Sequence, residues 1–240
     1  MPLIDAMDVH KTYRLGRSNV VRALQGVNMS LESGEMVAIM GPSGCGKSTL
    51  MHIVGLLQPP STNGTKPVLK YRERDMTTLS DRERTRIRAT EMGFVFQAFN
   101  LVSTLNAVEN VALAAEYAGQ PKPKAKASAL DALGLVGLAE RAGHRPMELS
   151  GGEQQRVAIA RSLVHRPAVV LADEPTAELD STTARAVFSL LRDIVRKEPV
   201  AVLIATHDRM ALSVAHRVLH IRDGVLVEGE SLKPVPSPLA

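Results

Sequence analysis

Gly41 to Ser48 reads GPSGCGKS: a glycine, four free positions, a second glycine, a lysine and a serine. Residues of these types at this spacing hold a phosphate chain. Gly41, Gly44 and Gly46 let backbone amides turn inward around an oxygen anion, and a helix beginning there adds its positive N-terminal end. Pro42, Ser43 and Cys45 fill free positions. Lys47 is placed to reach the β- and γ-phosphates, Ser48 offers a hydroxyl oxygen to Mg²⁺, and Thr49 carries the loop into the helix. Cys45 is the single cysteine of the chain, so it makes no intramolecular disulfide and reads as a small filler rather than a redox switch.

A second chemical signal is the pair Asp173 and Glu174, which follows the apolar run AVVLA. Two carboxylates at a strand's end beside a phosphate divide their work. Asp173 is the candidate for holding Mg²⁺, and Glu174 for orienting and deprotonating an attacking water. A third signal is LSGGEQ, Leu149 to Gln154, at the head of a helix with an apolar stripe at Val157, Ala160 and Val164. Ser150 and Glu153 have capping-box spacing, which alone describes an ordinary helix start. The pair Gly151 and Gly152 is what that leaves over. Glycine is costly in a first turn unless the backbone must come close to something, and amides at a helix N-terminus attract anions. The spacing therefore predicts two phosphate sites in one chain.

The elements that must position these groups alternate between strand and helix. Glu35 to Met40, Gly93 to Phe96, Ala168 to Ala172 and Val200 to Ala205 read as short buried strands, and Ser48 to Leu57, Leu79 to Thr90 and Ala107 to Ala118 as helices. Ser80 and Glu83 give the second helix a capping box. Such alternation predicts a largely parallel sheet covered on both faces, with ligands beyond the carboxyl ends of its strands, where each of these motifs falls. Pro59 to Pro67 reads as a loop, and 231–240 as a loose Pro-rich tail.

Composition narrows the partners. The 240 residues are 45% hydrophobic, enough for a sizeable core. With 29 Lys and Arg against 25 Asp and Glu the balance is only +4, and the basic residues from Lys70 to Arg88 are interleaved with acids, so no nucleic-acid partner is expected. No window approaches the ~20 apolar residues of a membrane span and no signal peptide opens the chain, which predicts a cytoplasmic protein.

Taken together, the phosphate loop, LSGGEQ and the VVLADE strand resemble, in order and spacing, the ATP-binding-cassette ATPases, over about Leu3 to Glu228. The resemblance implies a P-loop NTPase, RecA-like α/β core (residues 1–230) with an antiparallel β subdomain and a helical subdomain at about 98–161. It also implies Mg²⁺ and ATP as cofactors, and a homodimer in which Ser150 and Gly152 of one copy meet the γ-phosphate held by Gly41 to Thr49 of the other. On the same footing, Tyr13 corresponds to an adenine-stacking aromatic, Gln97 to an Mg²⁺ ligand, Asp180 to the loop crossing the dimer, and His207 to a γ-phosphate sensor. The wording of AIMGPSGCGKSTLM, GFVFQAFNLVSTLNAVENV, LSGGEQQRVAIARSLV and LADEPTAELDS is similar to the lipoprotein-release and macrolide-export branch, the LolD and MacB type. That implies attachment to the inner face of the cell membrane through an integral-membrane permease of the FtsX, MacB or LolC kind. An ATPase regulating cell-wall hydrolysis, of the FtsE type, is the alternative. Ala177-Glu178 departs from the Gly-Asn usual in that branch, and Pro67 to Asp75 lacks its glycine turn.

Overall fold

The computed structural model describes residues 1–16, 19–62, 64 and 66–227, so the expected tail at 231–240 lies outside the described residues. The chain opens with strands β1 (Ile4–Leu15), β2 (Asn19–Leu31) and β3 (Met36–Met40), then α1 (Lys47–Val54), β4 (Val68–Tyr71), β5 (Arg74–Asp75), α2 (Asp81–Glu91) and β6 (Met92–Val95). Three helices follow, α3 (Ala107–Tyr117), α4 (Lys122–Leu135) and α5 (Gly151–Leu163). The rest is β7 (Val169–Asp173), α6 (Ser181–Lys197), β8 (Ala201–Thr206), β9 (Arg217–Arg222) and β10 (Val225–Val227).

Every residue of β3 and β8 is buried, as continuous apolar strands covered on both faces must be. They lie at the centre of a sheet ordered β10-β9-β3-β8-β7-β6, parallel except for β10. Alternation along the strands divides the core in two. Met36, Ala38, Val170, Ala172 and Ile204 pack with Val157 of α5 and Phe188 of α6, and α3 and α4 add Val111 and Leu133 to that same cluster. Val37, Ile39, Val169, Leu171 and Leu203 point the other way, onto Leu50 and Ile53 of α1 and onto Val9 and Leu24 of the second sheet, the antiparallel β2-β1-β4-β5. The register sets Met40 beside Thr206, Asp173 beside Ala205, and Ala172 beside Val95. The segments after β3, β8, β7 and β6 therefore leave the sheet at one edge.

Capping boxes start α2 at Ser80, α3 at Asn106 and α5 at Ser150. The structure corrects two expected helix bounds. The first helix ends at Val54 rather than Leu57: Gly55 is its C-cap, packed where a Cβ would meet Phe94 and Leu171 at 2.7 and 2.8 Å, and Leu56 turns left-handed at φ 58. The second starts at Asp81 rather than Leu79, because Ser80 is its N-cap. The hairpin without a glycine puts Arg72 and Glu73 at φ 47 and 65, the signature of a two-residue type I′ turn. Each non-glycine residue there costs roughly 1–2 kcal/mol. The Arg72 N–H donates to Leu3 O at 2.9 Å and anchors the turn to β1's start. No described helix is long and apolar enough to cross a membrane.

Candidate active site

The loop from Gly41 to Gly46 joins β3 to α1 and needs its glycines for different reasons. Gly44 and Gly46 stand at φ 79 and 110, which side chains rarely adopt. Gly41 has no room for a Cβ, which would fall 2.2 Å from Ile221 O, and Gly46 has none either, with Ala23 O at 2.5 Å. Cys45 is buried, and its backbone carbonyl accepts from Gly224 N–H at 3.0 Å. Gly44, Lys47 and Ser48 line a cleft of about 330 Å³ whose far wall is Val21, Arg22 and Asp223.

Lys47 is only 6% exposed, and its Nζ donates to Gly41 O at 2.7 Å and Pro42 O at 3.1 Å. The same Nζ lies 3.5 Å from Glu174 Oε1. The other Glu174 oxygen accepts from His207 Nδ1 at 3.0 Å, from a ring that is 63% exposed. Ser48 Oγ donates to Asp173 Oδ1 at 3.1 Å. Burial pushes the Asp173 carboxyl above its ordinary range, partly opposed by that hydrogen bond and by His52, with the Glu174 charge adding to the rise. Lys47, Ser48, Asp173, Glu174 and His207, drawn from three strand ends, thus form one cluster. Glu174 holds a left-handed backbone at φ 47, a conformation that persists only where the surroundings impose it.

The other expected residues lie apart, with no hydrogen bond or ion pair among the described residues joining them to that cluster. Gln97 is exposed just beyond β6. Tyr13 sits on β1 opposite Val21, which lines the cleft. Its hydroxyl donates to Gln58 Oε1 at 2.7 Å, and the Lys11 ammonium lies 5.4 Å from its ring centre. Asp180 caps α6, accepting from the Thr183 hydroxyl at 2.6 Å and from Thr183 and Thr182 N–H at 3.1 and 3.0 Å, and these bonds, the hydroxyl's first, hold its carboxyl below the ordinary range.

Ser150 caps α5. Glu153 Oε2 accepts from the Ser150 N–H and hydroxyl, each at 2.8 Å, so its carboxyl also titrates low. Gly152, though not Gly151, has a cause within the chain that residue spacing does not reveal. A Cβ on Gly152 would lie 2.4 Å from Thr183 Cγ2, so the first turns of α5 and α6 meet there and Gly152 by itself does not require an anion, whereas a Cβ on Gly151 would make only ordinary contact with Leu179 at 3.5 Å.

Three further residues organise the site's surroundings. Gln155, in α5, donates from Nε2 to Pro175 O at 2.6 Å. Buried Asn110 closes the loop before α3, accepting from Val102 N–H and donating to Val102 O, Leu105 O and Asn106 O. Arg161 donates to Asn100 O and Phe99 O. The readable signal is a polar side chain on an apolar helix face, which burial obliges to find partners.

Known proteins resemble this chain in sequence and fold. The family profile described as ABC transporter matches residues 24–177. The lipoprotein-releasing system ATP-binding protein LolD of Ruegeria sp. is 44% identical over 92% of this chain and 95% of its own. The macrolide export ATP-binding/permease protein MacB of Chlorobaculum tepidum is 44% identical over 94% of this chain but 34% of its own, so the chain spans about a third of that relative's length. A dimeric ATP-binding cassette in a post-hydrolysis state, bound to ADP and Pi, superposes with a TM-score of 0.85 at 38% identity, covering 96% of this chain and 99% of that one. A profile that runs from within β2 to just past Glu174, with identity of this order over nine tenths of the chain, leaves one assignment: the chain belongs to the ABC transporter ATPase family.

Proposed function

We propose that two copies close head to tail around two Mg·ATP, hydrolyse it, and thereby drive a separate membrane permease in export or lipoprotein release. The observation that carries the reading is the Glu174 carboxylate, held between the Lys47 ammonium at 3.5 Å and His207 Nδ1 at 3.0 Å. Lys47 exchanges its loop carbonyls for β- and γ-phosphate oxygens. Glu174 takes the proton of a water whose oxygen attacks the γ-phosphorus, while the bond to the bridging oxygen breaks and its electron pair leaves with ADP. His207, bonded to the same carboxylate, senses the γ-phosphate. Ser150 to Glu153, with Asp180, complete the partner's site, and Tyr13 and the cleft wall take the adenine.

The donor set fits Mg²⁺. Ser48 Oγ and Asp173 Oδ1 are hard oxygens next to a phosphate loop, and no cluster of three acids, histidines or cysteines among the described residues offers a complete cage. Magnesium is commonly held in this way, by one or two protein oxygens with substrate phosphates. Ser48 and Asp173 would hold it, with Gln97 from the segment just beyond β6, and when bound it would supply charge neutralisation on the phosphates.

The permease engages the segment from Phe99 to Val111, which Arg161 and Asn110 hold in shape, and it places the ATPase on the inner face of the cell membrane. LolD and MacB, by their names, serve lipoprotein release and macrolide export, and those relatives support the choice of cargo class. Glu174→Gln tests the core of the proposal. Turnover falls by roughly 10²- to 10⁴-fold, the range of a lost general base, and an ATP-bound dimer accumulates. Wild-type turnover in that variant removes Glu174 from the role.

A further inference from the structure

We propose that Gln155 is a positioning residue for Glu174, holding the base's backbone in place and tying it to the helix that begins at Ser150. The inference rests on the ATPase reading above. Glu174 stands at φ 47 and is followed by Pro175. The left-handed region is strained for a residue with a side chain, and a following proline ring narrows its choices further. Something must hold it, and three hydrogen bonds do so, one of them from Ala177 N–H to the Glu174 carbonyl at 3.2 Å within the turn itself. The Glu174 N–H donates to Ala205 O of β8 at 2.8 Å, and Gln155 Nε2 donates to Pro175 O at 2.6 Å.

Gln155 is completely buried, and its Oε1 has no hydrogen-bond partner among the described residues. The side chain's orientation follows from its partner: a carbonyl oxygen only accepts, so the amide nitrogen must face it. A buried, unpaired amide oxygen is destabilising, and methionine would fill similar space without that penalty. Packing therefore does not account for Gln155. What it supplies, and an apolar residue would not, is a donor to the peptide next to the base. The same end of α5 meets the segment beyond Glu174 at two more points, Gly151 beside Leu179 and Gly152 against Thr183. In the proposed dimer Ser150 contacts the partner's nucleotide, while Glu174 works on its own. Gln155 connects the two by one side chain.

The test is ATP turnover by the full chain. In Gln155→Met, kcat falls between about tenfold and a hundredfold, the scale of a misplaced catalytic group, while KM for ATP and the ATP-dependent dimer are retained. Gln155→Glu covers the case in which the methionine variant does not fold. Its carboxylate cannot donate but its protonated form can, so its turnover relative to wild type rises as pH falls. A folded Gln155→Met with wild-type kcat overturns the proposal, and so does a Gln155→Glu whose relative turnover is flat with pH. Glu174→Gln, run in parallel, separates the two readings. If it retains turnover, the base assignment fails. If it is inactive while Gln155→Met turns over normally, only the positioning role fails.

Discussion

Gly44 and Gly46 look alike in the sequence and are distinguished by their surroundings. Both are left-handed, but a Cβ on Gly44 meets nothing within 4 Å, whereas one on Gly46 meets Ala23 O at 2.5 Å and Leu24 Cδ2 at 3.0 Å. Gly44→Ala thus bears the conformational penalty alone, about 1–2 kcal/mol. Gly46→Ala adds overpacking of typically 1–3 kcal/mol, because β2 would have to move. Denaturant unfolding of the two variants measures the difference, and equal losses would refute the steric account. At this scale the phosphate loop, Asp173, Glu174 and the Ser150 cap were legible, since residue type and spacing define them. The Gly152 contact with Thr183 and the Gln155 bond to Pro175 were not, because both join residues distant in sequence whose approach depends on how α5 packs.

Among the elements, those that declare themselves locally were readable: the apolar runs of β3, β7 and β8, and helices with a capping box. The long hairpin of β1 and β2 escaped, because irregular register between Ala6 and Thr12, with Asp8 at φ 52, breaks the alternation that marks a strand. α4 buries mainly small residues, Ala125, Ala129 and Ala132, so its stripe is faint. α6 has a full stripe, from Ala184 and Val187 to Ile194 and Val195, and its signal was present in the sequence without being assigned. Beyond the end of α5, His165 bonds the helix to β6 through Nε2 and Met92 O at 3.1 Å, while its buried Nδ1 has no partner among the described residues. A second ring proton would have nowhere to go. Burial accordingly lowers the pKa below the ordinary 6.5, with the Met92 bond opposing in part. The unfolded chain therefore takes up this proton first. Stability contributed by neutral His165 is whole above 6.5 and is lost as pH falls from there towards the folded value. Between about pH 7.5 and about pH 5.5, His165→Gln loses less melting temperature than wild type. An identical drop would show that His165 does not titrate on unfolding.

For the whole molecule, the two phosphate-binding signals of one chain do not meet. Lys47 and Ser48 bond to β7's end, whereas Ser150 to Glu153 bond among themselves and to Arg141, with Glu153 Oε1 3.5 Å from the Arg141 Nε. In the proposed dimer, two copies placed head to tail would bring each LSGG segment to the other's phosphate loop, and the superposable cassette bound to ADP and Pi is dimeric. Ser150 is the residue at which to test this, provided its two roles are separated. As the N-cap of α5 it contributes on the order of 1 kcal/mol, which Ser150→Ala and Ser150→Arg both forfeit. Only arginine adds bulk and charge where the partner's nucleotide would lie. In a Glu174→Gln background with ATP, light scattering should find dimer for Ser150→Ala and monomer for Ser150→Arg, with nucleotide still bound by the monomer. A dimer in both variants would take Ser150 out of the interface, and loss of nucleotide binding in the arginine variant would place the residue near its own chain's phosphate loop, contrary to the folded geometry.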